Sequence, residues 1–305
     1  MILVTGGLGF LGGRISSRLL QSGKSVRIGS SRNHPAVPAE LSTCEVVQID
    51  LEDEFSLVEA CNGVTTIIHL AAANAQESEA SYEQALQING LGTLKLLNAA
   101  RICSVKKIIY FSTIHVYGNP LNGLIDEDRT PQPSSSYAIT HRLAEDYVLN
   151  CNETDDLSTV VLRLANVVGL PLDEYNKGWD LAVNNLCRQA IIDKEIRLLS
   201  KGLQNRNFVS IEDVLQIVAI LVDTDFKSLP NRTFNVGGKT LSIAQVAKEI
   251  AKQCGALFSY IPPIVTGEID EIESDFEFDY SRVKSLGYAQ SEVSNEIKKL
   301  LLNFE

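Results

Sequence analysis

An apolar run, Ile2-Leu3-Val4, passes almost directly into Gly6-Gly7-Leu8-Gly9-Phe10-Leu11-Gly12, which opens a segment with helical patterning. A strand that turns sharply into a helix aims unpaired backbone N–H groups and the positive end of the helix dipole at one point. Glycines then admit a pyrophosphate close to that backbone. The run meets a G-x-G-x-x-G spacing from Gly7 and a G-x-x-G-x-x-G spacing from Gly6. It reads as a dinucleotide site, with Gly6, Gly9, Phe10, Leu11 and Gly12 around the phosphates; a glycine turn serving the backbone alone is the plainer alternative.

The end of the second strand refines this reading. Roughly 20 residues beyond the glycines, an acidic side chain ordinarily holds the 2′-hydroxyl of an NAD ribose. Here Ser25-Val26-Arg27-Ile28-Gly29 ends in Ser30-Ser31-Arg32, and no Asp or Glu precedes Glu40. Small hydroxyls beside a guanidinium suit a 2′-phosphate, because they donate to its oxygens and balance its charge. The expected cofactor is NADP(H), with NAD(H) as the alternative.

Charge narrows the partners. With 27 basic and 38 acidic residues the net charge is −11, which disfavours nucleic acid or an anionic membrane as a binding surface. The longest apolar stretch, Ile217 to Val222, is too short to cross a bilayer. Six scattered cysteines without a C-x-x-C pair suit a reduced interior, and the first strand starts too early to leave room for a leader. A cytoplasmic protein is expected.

Short β-branched runs alternate with helix-like segments: Val46 to Ile49, Thr65 to Leu70, Lys107 to Phe111, Thr159 to Leu162. One helix is predicted over Tyr82 to Cys103, where Ala85, Ile88, Leu91, Leu94, Leu97 and Ile102 recur at helical spacing. Such alternation predicts an α/β fold with a Rossmann-type doubly wound parallel sheet. The expected dinucleotide-binding domain is 1–170 with 203–239 returning to it, and 171–202 with 240–305 form a smaller substrate-binding region. Gly118 to Ser136 reads as a long loop, Leu181 to Asp193 as a helix, Ser242 as a helix cap, and the acidic stretch Val265 to Phe278 as a solvated loop.

Ser112-Thr113-Ile114-His115-Val116-Tyr117-Gly118 follows the strand Lys107 to Phe111, and Tyr137-Ala138-Ile139-Thr140-His141 opens a later helix. Further motifs are Asp50-Leu51-Glu52-Asp53, His69-Leu70-Ala71-Ala72, Asn89 with Gly92-Thr93, Arg163 to Gly169, Arg206-Asn207-Phe208-Val209 with Glu212-Asp213, and Asn235-Val236-Gly237. In order and spacing the chain resembles the extended short-chain dehydrogenase/reductases of the NAD-dependent epimerase/dehydratase family, whose members mostly modify nucleotide-activated sugars. The resemblance implies Tyr137 as general acid or base, with Thr113 sharing a hydrogen bond to the same substrate oxygen. A lysine one helical turn after the tyrosine usually lowers the phenol's pKa and binds the nicotinamide ribose. This chain has His141 there, which retains a donor but carries only part of the charge near pH 7.

The same resemblance implies that Asp50 lies at the adenine edge and carries over Leu51, Leu70, Ala71, Ala72, Asn89, Tyr137 and His141 as cofactor contacts. Thr113, Asn166 and Arg206 are carried over as substrate contacts, and His115 is a candidate substrate contact that could serve as a base in epimerisation next to a ketone. Plainer alternatives are a solvated carboxylate for Asp50, a hydrogen-bonding strand end for His115 and a surface ion pair with Glu212 or Asp213 for Arg206. Sugar 4,6-dehydratases resemble Ser-Thr-Asp-Glu-Val-Tyr-Gly where this chain has Ile114 and His115, and isoleucine exchanges no proton. His69 has no partner at ligand spacing, so no metal is expected. Because net reduction draws on NADPH, the first expectation is hydride transfer to a keto-sugar nucleotide with Tyr137 as general acid. A nucleotide-sugar epimerase with a recycled dinucleotide is the alternative, and a non-catalytic dinucleotide-binding protein is the third. The resemblance also implies a homodimer.

Overall fold

The computed structural model describes residues 1–154, 156–173, 176–269 and 274–304. Its strands are β1 (Ile2–Thr5), β2 (Val26–Ser30), β3 (Glu45–Gln48), β4 (Thr66–His69), β5 (Lys107–Thr113), β6 (Gly123–Ile125), β7 (Ser158–Leu164), β8 (Asn166–Val168), β9 (Ile196–Ser200), β10 (Asn205–Ser210), β11 (Thr233–Val236), β12 (Lys239–Ser242), β13 (Ile264–Ile269) and β14 (Phe276–Phe278). Seven form one sheet in the order β11-β7-β5-β4-β1-β2-β3. β1 pairs in parallel with both β2 and β4, β2 with β3, and β4 with β5. The chain therefore runs outward from β1 through β2 to β3, then returns to the other side of β1. This reversal leaves a crevice beyond the carboxyl ends of the strands, where ligands of such sheets bind.

Ile2, Leu3 and Val4 are buried because β1 lies inside the sheet with helices over its faces. On one side Leu3, Ile67 and Ile108 pack with Leu57 and Leu97 from the helices Glu54–Cys61 and Gly92–Ile102, and with Ala144 and Val148 from the helix Ser136–Thr154. The helix predicted over Tyr82 to Cys103 is not continuous. It comprises an α-helical turn Tyr82–Ala85, a π-helical segment Leu86–Leu91 and an α-helix Gly92–Ile102. Residue spacing alone does not register this widening; Asn89, inside the wide segment, is committed to bonds off its own helix.

The chain divides into two compact units: 1–119 with 127–163 and 217–234, and 120–126 with 164–216 and 235–305. Within the second, β10 pairs antiparallel with β12 and parallel with β8. Trp179, Phe208, Val246, Ile250 and Leu300 share its core, and Trp179 lies 4.9 Å from the Phe304 ring. Helix Ile243–Phe258 starts at Ser242, whose side chain accepts from Gln245 N while the Gln245 side chain accepts from Ser242 N. Two segments read as loops carry strands. β6 interrupts 118–136 and pairs with β14, while β13 pairs with β9. β13 and β14 occupy both ends of the acidic stretch, and its residues 270–273 lie outside the described residues. Long-range backbone pairing, across 153 residues between Gly123 and Phe276 and 68 between Ile196 and Ile264, overrode the polar composition of both segments.

Candidate active site

The glycine turn is built as its spacing requires. Gly6 has φ +66°, and a Cβ there would come within 3.2 Å of Ala71 N. At Gly7 a Cβ would lie 2.8 Å from Val4 O, and at Gly12 it would run into Gly6 O. The helix Phe10–Gln21 begins at Gly9 with no side-chain cap and no acidic residue in its first turn. Its leading N–H groups and dipole thus favour an anion, which is the donor set a pyrophosphate needs.

Beside this turn lies a cavity of about 640 Å³, within the usual range for a small-molecule site. Gly6, Gly9, Ser30, Ser31, Arg32, Asp50, Leu51, Leu70, Ala71 and Ala72 all line it. Ser30 is buried and its hydroxyl accepts from Arg32 N (3.2 Å), while Ser31 and Arg32 are exposed. Leu8, Gln48, Ile49, Glu52, Ala73, Glu77, Gln84 and Ile88 complete the lining and are not among the cofactor contacts expected from the sequence. Glu52 lies within the Asp50-Leu51-Glu52-Asp53 motif; Glu77 and Gln84 carry no sequence signal, because tertiary folding alone brings their helices to the cavity. Three acids, Asp50, Glu52 and Glu77, therefore share a lining with Ser30, Ser31 and Arg32. Phe10, Leu11 and Gly12 form the adjoining first helical turn instead of lining the cavity.

Deeper in the same unit, register places Thr5 opposite His69. Thr5 Oγ1 accepts from Leu70 N and Ala71 N at 3.2 Å each, so its own hydrogen goes to His69 Nδ1 at 2.7 Å. His69 Nε2 then carries the ring hydrogen and donates to Thr93 Oγ1 (3.1 Å), which donates to Asn89 O (2.6 Å). Burial holds the His69 pKa down at about 4, so this chain of bonds stays neutral and intact. Asn89 Oδ1 accepts from Ala73 N (2.7 Å), and its Nδ2 donates to Thr140 Oγ1 (3.0 Å). Asn89 therefore ties the cavity wall to the helix that carries Tyr137.

Thr113 ends β5, and its hydroxyl caps the short turn Ile114–Tyr117 by accepting from His115 N at 3.2 Å. It also hydrogen bonds to Tyr137, a half-buried side chain in the first turn of Ser136–Thr154. Burial raises the Tyr137 pKa and the bond to Thr113 partly opposes that rise. His141 is buried one turn further on, its ring 4.4 Å from that of Tyr137 in an edge arrangement. Its pKa falls to about 3, chiefly through burial and secondarily through His69 and His115. Imidazole at this position is thus neutral near pH 7. Tyr110 Oη lies 2.8 Å from His141 Nδ1, a contact between residues 31 apart that sequence reading missed. His115 is exposed, with its ring 6.4 Å from Tyr137.

Asn166 and Arg206 belong to the second unit. Asn166 on β8 donates to Asn207 O (2.9 Å), and Arg206 on β10 donates to Gln204 Oε1 (3.3 Å). Among the described residues no group of three or more His, Cys, Asp or Glu side chains is placed to hold a metal.

Residues 2–237 match the NAD dependent epimerase/dehydratase family, and the chain belongs to it. Members of this family are enzymes of the extended short-chain dehydrogenase/reductase type. A putative UDP-glucose 4-epimerase of Methanocaldococcus jannaschii is 28% identical over 84% of this chain and 83% of its own length. A dTDP-D-glucose 4,6-dehydratase of Mus musculus is also 28% identical, over 82% and 71%. Among solved structures, a UDP-glucose 4-epimerase of Thermotoga maritima with UDP-glucose has a TM-score of 0.85 at 25% identity, covering 99% of this chain and 98% of that one. MoeE5 in complex with UDP-glucuronic acid and NAD has a TM-score of 0.80, also at 25% identity and with the same coverage.

Proposed function

We propose that this chain is a nucleotide-sugar epimerase in which Tyr137 exchanges a proton with a sugar oxygen. One observation carries the reading: Tyr137 stands at the head of its helix, hydrogen bonded to Thr113 at the end of β5, the two residues that the family resemblance implies as proton carrier and oxygen holder. The family match and the epimerase relatives support it, and place it ahead of the net reduction that sequence reading put first. Dehydration has less support, because Ile114 and His115 stand where sugar 4,6-dehydratases have carboxyl groups.

The uncapped helix start at Gly9 and the adjoining cavity fit a dinucleotide diphosphate and adenosine moiety. A bound nicotinamide supplies the hydride acceptor and donor. Tyr137 takes the hydroxyl proton as the sugar is oxidised and returns it on reduction. Thr113 holds the reacting oxygen against the phenol, and neutral His141 contributes a hydrogen-bonding nitrogen instead of a positive charge. Asn166 and Arg206 are proposed as sugar and diphosphate contacts; a guanidinium suits a diphosphate because its fork of donors engages two oxygens at once.

Net reduction by NADPH is the second reading, favoured by Ser30, Ser31 and Arg32 on the cavity and opposed by Asp50, Glu52 and Glu77 on the same lining. A homodimer has support from exposed Tyr82, Leu86, Leu91, Ile139 and Tyr147, apolar side chains of the first unit's helices. A cytoplasmic setting is proposed on composition; no described helix is long and apolar enough to cross a membrane.

The test is to mix the protein with a panel of UDP- and dTDP-sugars and a stoichiometric excess of NADPH. Isomerised sugar without loss of nicotinamide absorbance supports the epimerase. Steady absorbance loss with reduced sugar overturns it in favour of the reductase, and tight dinucleotide binding with no turnover of any sugar supports a non-catalytic binding protein.

A further inference from the structure

Two buried side chains meet the half-buried Tyr137 where the family's usual lysine is replaced. Tyr110 is 3% exposed, and its hydroxyl makes one hydrogen bond among the described residues, to His141 Nδ1 at 2.8 Å. His141 is 4% exposed, and its Nε2 is buried without a partner among the described residues. Tyr137 packs edge-on against the imidazole.

The hydrogen-bond count decides between the two neutral forms of the ring. If Nδ1 carried the hydrogen and donated to Tyr110, the phenol's own hydrogen would be left in the interior without an acceptor, and Nε2 would be a second orphan. If the phenol donates to Nδ1, both Tyr110 and Nδ1 are satisfied and the single open group is Nε2–H. Buried polar groups are paired wherever the fold permits, so the second arrangement prevails. Cationic imidazole is disfavoured by the same burial and by His69 and His115 nearby, so one neutral tautomer remains.

We propose that Tyr110 is a positioning residue that locks His141 as the Nε2–H tautomer, making Nε2 a fixed neutral donor to a sugar hydroxyl oxygen of the bound ligand. The assignment of a ligand rests on the proposed function, whereas the tautomer does not. Two ligands carry such an oxygen, the ribose of the dinucleotide and the hexose of a nucleotide sugar. In a lysine enzyme the donor rotates freely and brings charge. Here orientation comes from a second side chain on β5, and no charge accompanies the donor.

The test is long-range proton–nitrogen NMR on the full chain with ring-labelled histidine, the His141 signals being assigned by their loss in His141→Gln. Four histidines make the spectrum tractable. The expected result is a pyridine-like Nδ1 and a pyrrole-like Nε2 for His141, unchanged between about pH 5 and 8, where an ordinary histidine titrates. Addition of NAD or NADP alone, and of UDP-glucose alone, identifies which sugar shifts Nε2. Tyr110→Phe should convert His141 to a tautomer mixture and weaken the ligand identified by that shift by roughly fivefold, the loss of one ordinary hydrogen bond. In His141→Lys, the same Tyr110→Phe change should weaken that ligand by less than about twofold, since an ammonium has no tautomer to fix. An Nδ1–H form in the unaltered protein, no Nε2 shift with either probe, or equal losses in both backgrounds overturns the proposal. If Tyr110→Phe does not fold, the tautomer and ligand shifts of the unaltered protein still decide. Absence of sugar turnover with an Nε2–H signal present counts against the enzyme reading and leaves the tautomer assignment standing.

Discussion

Tyr137 and His141 face each other one helical turn apart, ring centroids 4.4 Å from each other, with the phenol half-buried and the imidazole buried and neutral. Where the family's lysine would place a cation beside the phenol, this enzyme places a ring whose pKa lies at about 3. The Tyr137 phenol consequently gains no help from residue 141 in losing its proton near neutrality.

His141→Lys restores that charge. A cation within about 4–6 Å favours the phenolate, so the Tyr137 pKa falls by at least about one unit. The alkaline-rising limb of kcat should move to lower pH by that amount, with turnover at about pH 8 to 9 kept or increased. Complete loss of activity in the variant, measured alongside intact folding, would count against His141 as a stand-in for lysine.

The cofactor question has a direct binding test. If Arg32 holds a 2′-phosphate, Arg32→Ala should weaken NADPH by roughly tenfold or more, the scale of a charge-assisted hydrogen bond, while changing NADH by less than about twofold. Titration of both nucleotides against both proteins measures this. An unaltered protein that prefers NADH would assign the ribose to an acid such as Asp50 or Glu52 on the same cavity and strengthen the epimerase reading.

Stability should depend on a buried ion pair in the first unit. Arg163 donates to Glu145 through Nε (3.0 and 3.2 Å) and Nη2 (2.7 Å), and through Nη1 to Tyr117 Oη (2.9 Å); the two charged side chains are 3% and 0% exposed. Glu145→Ala leaves a guanidinium buried without its carboxylate, which costs about 3–5 kcal/mol. Urea unfolding would detect the loss. A change below about 1 kcal/mol would mean that water or Tyr117 compensates.

Asp213 predicts a pH dependence in the second unit. It is 1% exposed; Ser291 N donates to its Oδ1 (2.7 Å), and its Oδ2 has no partner among the described residues. Burial is the main cause that raises its pKa to about 6; Glu212 and Glu296 add to the rise and the Ser291 bond opposes it. The unfolded value is about 4, so between about pH 4 and 6 the native state holds a proton the unfolded chain has released, and this group makes stability fall as pH rises. Asp213→Asn removes the fall. Relative to the unaltered protein, the variant should gain about 2–3 kcal/mol between pH 4 and 7. Parallel stability curves for the two proteins would refute the assignment.

How much was legible beforehand follows from the range of each interaction. Strand, glycine turn and first helix were readable because most of their causes are local: β1 is apolar through Ile2, Leu3 and Val4, and the clashes at Gly7 with Val4 O and at Gly12 with Gly6 O arise within a few residues, whereas the close approach of Gly6 to Ala71 comes from the fold. Ser242 likewise announced its helix, since a cap acts on the N–H three residues on. The π-helical segment at Leu86–Leu91 was not readable, because apolar spacing is nearly the same in a helix that widens by one residue. Strands β6 and β13 were read as loops, for their pairing partners β14 and β9 stand far along the chain.

The sequence by itself determined the class of fold and the glycine turn between β1 and the first helix, and it singled out Thr113, Tyr137 and His141 as candidates, because these rest on residue type and short spacing. Only tertiary structure decided what His141 is. Its neutrality comes from burial, and its hydrogen-bonded orientation from Tyr110 on another element; neither is encoded in the residues flanking it. The same holds for the cavity lining, where sheet order brings Asp50, Glu52 and Glu77 beside Ser30, Ser31 and Arg32. Desolvation and the sharing of a surface depend on positions in space, which sequence spacing does not specify until the sheet is assembled.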